Sequence, residues 1–272
     1  MIAKLKQFVK KQFQEKSQNN SAELSLAEKQ KAAYVPTILP SKNPYIIDKD
    51  DIQVSIVNYN LNSASNKLKK LFSTQFNFVE VIDSGSKEKD PGFILFDNIY
   101  YSGLFNESVK LTQKNNKKWL FLICSDVELT PENFSKLSTT FQLPQSWESI
   151  GVYAPSSTGR SHQFCKNYQT NNLRIVPMVE GFCFMAHMDV LKEIYPVDST
   201  VNLLGWGIDV LKGYFTHQQN RYCVIDDTCE VHHPDDCGYE NIQADQQMIQ
   251  YFQTFGDGLK QYIHKELPWM NY

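Results

Sequence analysis

The sequence predicts an α/β protein built on a mainly parallel central sheet flanked by helices, preceded by an N-terminal helical extension. Three observations predict it. From Asp51 onward, short β-branched or apolar runs alternate with segments of helical period, the order that builds βαβ units. Polar residues directly follow three of those runs, at the carboxyl ends where open parallel sheets gather ligands. Of the 272 residues, 42% are hydrophobic and 21% charged, which supplies one large core and excludes a disordered chain.

Taken in order, residues 1–16 carry Ile2, Leu5, Phe8, Val9 and Phe13 at three- and four-residue steps among five lysines. That spacing predicts a short basic amphipathic helix. It reads either as a peripheral anchor on an anionic membrane surface or as a helix that docks on its own domain or on a partner. Residues 17–50 are polar, with a second helix expected over 21–33 and a stretch broken by Pro36, Pro40 and Pro44; the expectation is a linker. The run 54–57 is a strand ending in Asn58-Tyr59-Asn60, followed by a helix over 63–74. Residues 78–82 form a second strand, stopped by Asp83-Ser84-Gly85-Ser86, and 92–96 a third, with a helix expected over 106–115. The most apolar strand, 119–123, runs into Cys124-Ser125-Asp126-Val127-Glu128. Thr130 followed by Pro131 then signals a helix start. A helix over 188–194, another over 241–255 and a short amphipathic end complete the pattern. The expected domains are 1–50 (helix plus linker), 51–237 (main body) and 238–272 (a helical tail packed on it).

Charge and cysteines narrow the class. The net charge is −3, but residues 1–16 carry +4 and the remainder −7, so the acidic body is unsuited to nucleic acid. Six cysteines show no C-x-x-C pair, the pattern of reduced thiols in a cytoplasmic protein. No apolar run approaches the roughly 18 residues of a spanning helix, and no signal-peptide pattern opens the chain. The anchor reading adds peripheral attachment to the inner membrane face.

The three polar clusters, Asn58–Asn60, Asp83–Ser86 and Asp126–Glu128, converge on one sheet edge if the strands lie parallel. An acid at the end of a buried strand is costly unless paired or bound to a cation. Asp126 and Glu128 together suit one divalent ion and, through it, a diphosphate.

At this point the motifs resemble the GT-A fold of nucleotide-sugar glycosyltransferases, in particular the inverting family 2 type. Val54-Ser-Ile-Val-Asn-Tyr-Asn60 resembles that family's opening strand, and Ile82-Asp83-Ser84-Gly85-Ser86 its Val-Asp-Asn-Gly-Ser turn. Asn98-Ile-Tyr-Tyr-Ser-Gly103-Leu-Phe-Asn106 resembles its Asn-x-Gly-Tyr-Ala-Gly-Gly-Phe-Asn segment, and Phe121-Leu-Ile-Cys-Ser-Asp126-Val its Asp-Val strand end. Val179-Glu-Gly-Phe-Cys-Phe-Met185 is similar to the acceptor-side strand. Leu204-Gly-Trp-Gly-Ile-Asp209 is similar to a Gly-Trp-Gly-Glu-Asp stretch, and Glu230-Val-His232-His233-Pro234 to the late strand whose histidine completes a metal or diphosphate site. The resemblance covers roughly residues 52–235.

The resemblance implies an α/β GT-A domain that transfers a sugar from a nucleotide-diphosphate donor, with a UDP-sugar favoured, to a glycan, lipid-linked or protein hydroxyl. It implies Asp209 as catalytic base. Asn58, Asn60, Asp83, Ser84, Gly103, Asn106 and Asp126 become donor-binding candidates, with Asn106 capping the helix it precedes. Trp206 and Glu180 are candidates for the sugar or acceptor wall. Mn²⁺ or Mg²⁺ is the implied cofactor, held by Asp126 and His232, with Glu128 and His233 ranked behind. Two departures stand out: Cys124 replaces an acid or amide, and Ile208 replaces the Glu before Asp209. They sustain an alternative reading, a catalytically silent GT-A-like subunit that binds a glycan or partner within a larger synthase. A sugar nucleotidyltransferase ranks lower, because Asn58–Ser65 lacks its Gly-rich basic loop.

Overall fold

The computed structural model describes residues 34–159, 161–234 and 241–270. The predicted helices over 1–16 and 21–33 lie outside the described residues.

Among the described residues nine strands form one sheet: β1 (Thr37–Ile38), β2 (Ile52–Asn58), β3 (Val79–Ser84), β4 (Ile94–Phe96), β5 (Trp119–Cys124), β6 (Ile150–Gly159), β7 (Leu173–Val176), β8 (Cys183–His187) and β9 (Tyr222–His233). Their spatial order is β1-β7-β9-β6-β8-β5-β2-β3-β4. The helices are α1 (Asn62–Phe72), α2 (Tyr100–Lys114), α3 (Pro131–Gln142), α4 (Met188–Lys192), α5 (Ile208–Gln218), α6 (Asn241–Phe252) and α7 (Asp257–Glu266).

Period-two alternation sorts the core onto two faces. On β5, Trp119, Phe121 and Ile123 join Leu68 and Phe72 of α1 and Phe134 and Phe141 of α3. Leu120 and Leu122 face the opposite layer, where Phe105 and Val109 of α2, Leu211 of α5, Phe252 of α6 and Ile263 of α7 pack. The result is a three-layer α/β/α molecule.

The parallel expectation holds for β4-β3-β2-β5. The other half is mixed, because β8 runs antiparallel between β5 and β6 and β7 lies antiparallel to β9. Strands β6 and β7 are absent from the sequence expectation. Part of the expected linker is built into the sheet. β1 pairs with β7, Leu39 N–H donates to Leu173 O at 2.8 Å, and Ile47 is buried. Helix α2 begins at Tyr100 rather than at residue 106, since Ser84 Oγ accepts from the N–H groups of Ile99 and Tyr100 and caps it from a neighbouring strand.

Candidate functional site

Strand register brings the three polar clusters together. Asn58 and Asp83 are direct partners across β2 and β3, Val57 is opposite Cys124 on β5, and Ser125 N–H donates to Val57 O at 3.0 Å. Asn58 and Asp83 are both buried and satisfy one another. Asn58 Nδ2 donates to Asp83 Oδ1 at 2.6 Å, Ser86 Oγ donates to the same oxygen, and Ser86 N–H donates to Asp83 Oδ2 at 3.0 Å. Asn60 sits at φ +59° and ties in the next turn, its N–H donating to Ser86 Oγ at 2.7 Å and its Oδ1 accepting from Lys87 N–H. The nearest cation is Lys89, 3.8 Å from Asp83 Oδ2. Gly85 allows the turn to close, because at φ +76° a Cβ would stand 2.6 Å from Asn98 N. This network is a rigid floor at the sheet edge.

Asp126 stands beside that floor. Its Oδ1 is buried with no hydrogen-bond partner among the described residues, a costly state that a cation relieves. Its Oδ2 lies 3.6 Å from His233 Nε2. His233 is held by parallel stacking on Phe182 at 4.2 Å, and Phe182 O accepts from Cys124 N–H at 2.8 Å. Alternation along β9 decides between the two histidines: Val231 and His233 share one face. His232 is exposed on the other, with Nδ1 3.0 Å from Thr158 Oγ1. The preference for His232 is therefore reversed on geometry, and His233 is the imidazole beside Asp126. Glu128 pairs with His232 only through its backbone, and its side chain is exposed. Burial holds the Cys124 thiol well above its ordinary range, and the Asp126 carboxylate adds to the effect. A carboxylate and an imidazole with one orphaned oxygen fit a divalent ion of the Mn²⁺ type.

A second cluster lies across the Val179–Phe182 segment. Ligand atoms of His162, Glu180 and Asp209 fall within 4.8 Å of one another. Asp209 opens α5 behind Gly207, and its Oδ1 accepts from Val210 N–H at 2.9 Å. Burial pushes its carboxyl up, the Glu180 carboxylate pushes it further, and His162 and Lys212 pull it back. Lys212, fully buried one helical turn on, donates from Nζ to Glu180 O at 3.0 Å and lies 3.3 Å from the Phe184 ring centre. Burial lowers its ammonium to about 8. Glu180 Oε1 accepts from His162 N–H at 2.6 Å and Ser161 Oγ at 3.1 Å. Trp206 is half-buried between Gly205 (φ +76°) and Gly207 (φ +87°). A Cβ at these glycines would collide with Tyr101 and Phe252, which explains the Gly-Trp-Gly spacing.

Three donor candidates are committed elsewhere. Ser84 caps α2. Gly103 lies inside α2, where a Cβ would meet Ile99 at 2.5 Å. Asn106, expected to precede its helix, is within α2 and clamps Val197 through both backbone groups, Nδ2 to Val197 O and Val197 N–H to Oδ1, each at 2.9 Å. Sequence reasoning missed His162 and Lys212. The Asp209-x-x-Lys212 spacing on one helical face was the available signal for the lysine; nothing marked the histidine.

No protein-family model and no curated protein matches the sequence. Among solved structures the chain is similar to GalNAc-T7 with UDP, GalNAc and Mn²⁺ (13% identity, 80% of this chain and 50% of that one, TM-score 0.52). It is also similar to the mannosyltransferase PcManGT from Pyrobaculum calidifontis in complex with GDP-Man and Mn²⁺ (11% identity, 89% and 75% covered, TM-score 0.53). The chain thus spans half the length of the first and three quarters of the second. At these identities the likeness establishes the fold, which is GT-A.

Proposed function

We propose that the protein is a metal-assisted glycosyltransferase that moves a sugar from a nucleoside-diphosphate donor, with UDP favoured, to a hydroxyl of a glycan, lipid-linked or protein acceptor. The observation that carries this reading is the orphaned, buried Asp126 Oδ1 facing the sheet edge beside His233, on a GT-A scaffold. Asn58, Asn60 and Asp83 form the floor for the donor nucleoside, and Trp206 and Glu180 a wall for the sugar or acceptor. A divalent ion held by Asp126 and His233 would supply charge neutralisation to the leaving diphosphate. Asp209 takes the acceptor proton as the hydroxyl attacks the anomeric carbon, an in-line displacement that inverts configuration.

A thermal-shift series with UDP-, GDP- and CMP-sugars, with and without Mn²⁺, tests the reading. One donor is expected to raise the melting temperature, and more so with metal. No response to any donor contradicts it. A second reading, a silent glycan- or partner-binding subunit, draws on the departures at Cys124 and Ile208, where the family carries polar or acidic residues; glycan binding without donor-dependent turnover would favour it.

We further propose that residues 1–16 attach the enzyme to the anionic inner membrane face. Deleting them is expected to abolish binding to phosphatidylserine vesicles and to leave the melting temperature unchanged. Equal vesicle binding by both forms refutes the anchor. Among the described residues no helix is long and apolar enough to cross a membrane.

A further inference from the structure

The cluster of His162, Glu180 and Asp209 contains two more proton-accepting groups than a single-base displacement uses. We infer that His162 relays the acceptor's proton from Asp209 to solvent and that Glu180 fixes the segment that carries it. This inference rests on the glycosyltransferase reading of the same site and names a further residue in it.

Three features support it. The groups come from three separate places, the segment after β6, the Val179–Phe182 segment and the first turn of α5, yet their ligand atoms lie within 4.8 Å of one another. The His162 ring is not loose: it stacks on buried Phe164 at 5.2 Å and 7°. Its backbone N–H and the neighbouring Ser161 hydroxyl both donate to Glu180 Oε1. Ser161 Oγ is in turn 2.6 Å from Ser157 Oγ on β6. Finally, His162 is half-buried, nearer to solvent than Lys212, which is fully buried behind the cluster. The other titratable groups facing the cluster are Lys212 and the Cys165 thiol. Burial holds that thiol well above its ordinary range and so protonated; the buried ammonium keeps two carboxylates and an imidazole from carrying an uncompensated charge.

The step balances. The acceptor O–H bond breaks and its proton passes to Asp209. The oxygen's electron pair forms the new bond to the anomeric carbon, and the bond from that carbon to the phosphate oxygen breaks with its pair leaving on the nucleoside diphosphate. The proton then moves from Asp209 to the His162 ring and on to water, restoring the base. His162 acts through Asp209 and is a positioning residue; Glu180, besides its place in the acceptor wall, positions His162 by accepting its backbone N–H.

The test uses the full chain with the donor found by the thermal-shift series and its acceptor. His162→Gln is expected to lower kcat about 10²-fold with the donor KM unchanged. His162→Gly should regain activity when free imidazole is added. Glu180→Ala should lower kcat without imidazole rescue. An unchanged kcat in His162→Gln overturns the relay. So does a loss that imidazole does not restore and that tracks a lower melting temperature, which marks a purely structural role. A Mn²⁺ ion counted by titration in the wild type and lost in His162→Gln also overturns it, in favour of a metal site. A wild type that turns over no donor removes the underlying reading and the relay with it, and is recognised because the variants are then uninformative on kcat and the wild type itself is silent.

Discussion

Asp209 sits where ionising a carboxylate is costly, half-buried and facing Glu180. As a base it must be ionised, so turnover is expected to fall on the acid side with a midpoint above the ordinary value of 3.8. A profile that stays flat down to that value contradicts the assignment. The raised value has a second consequence. The folded chain binds this proton more tightly than the unfolded one, so the residue's contribution to stability declines as pH rises from 3.8 through the folded value. Asp209→Asn removes that cost: at neutral pH it is expected to raise unfolding stability by about 1 kcal/mol while kcat falls 10²-fold or more. Calorimetry and kinetics on one preparation check both. Lys212 has the opposite charge and the same direction of penalty. Its folded value is about 8 against 10.5 unfolded, so the unfolded state holds more protons between these values and stability rises with pH there. Urea midpoints across that window should climb in the wild type and less in Lys212→Met.

Element boundaries decide which side chains serve the site and which serve the scaffold. The expectation of a helix from residue 106 read the polar-aromatic stretch up to Phe105 as a loop and left Tyr100 out. The actual start is set by Ser84 Oγ on β3, a partner 16 residues away in sequence, which no local pattern discloses. Asn106 thereby becomes a mid-helix clamp on Val197. Asn106→Leu, which leaves both Val197 groups unpaired, is expected to cost about 2–3 kcal/mol in urea unfolding. A loss under about 0.5 kcal/mol would show the clamp to be idle. By contrast, the start of α3 was legible: Thr130 Oγ1 accepts from Asn133 N–H and Pro131 follows at the first helical position. The histidine choice shows the limit of motif spacing. The resemblance ranks His232 first, because it directly follows Val231, and the face that β9 turns inward brings His233 to Asp126 instead. The three strand ends were readable because each is a run of apolar residues broken by polar ones, a local signal; the cluster around Asp209 was only half readable, because His162 reaches it through the tertiary fold.

At the scale of the whole molecule, the sheet carries a parallel half that supplies the floor and a mixed half that supplies His162, Glu180 and His233. The mixed half is held from the far edge by a buried bidentate pair: Arg174 donates from Nε and Nη2 to the two Asp227 oxygens at 2.8 and 2.9 Å, and from Nη1 to Tyr34 OH at 2.6 Å. This is why residues 34–47 belong to the fold and not to a linker, a feature invisible in a proline-broken polar stretch. Breaking one partner alone, as in Asp227→Asn, leaves a buried charge uncompensated and is expected to cost about 3–5 kcal/mol. The central claim, that the two halves meet to build a metal-assisted transfer site, is tested most directly by nucleoside-diphosphate release from the best-bound nucleotide sugar, measured against Mn²⁺ concentration in wild type, Asp126→Asn and His233→Ala. The account predicts Mn²⁺-dependent turnover in the wild type and, in each variant, at least a tenfold higher Mn²⁺ concentration for half-maximal turnover. Turnover with the same Mn²⁺ dependence in all three, or none in the wild type, would contradict it.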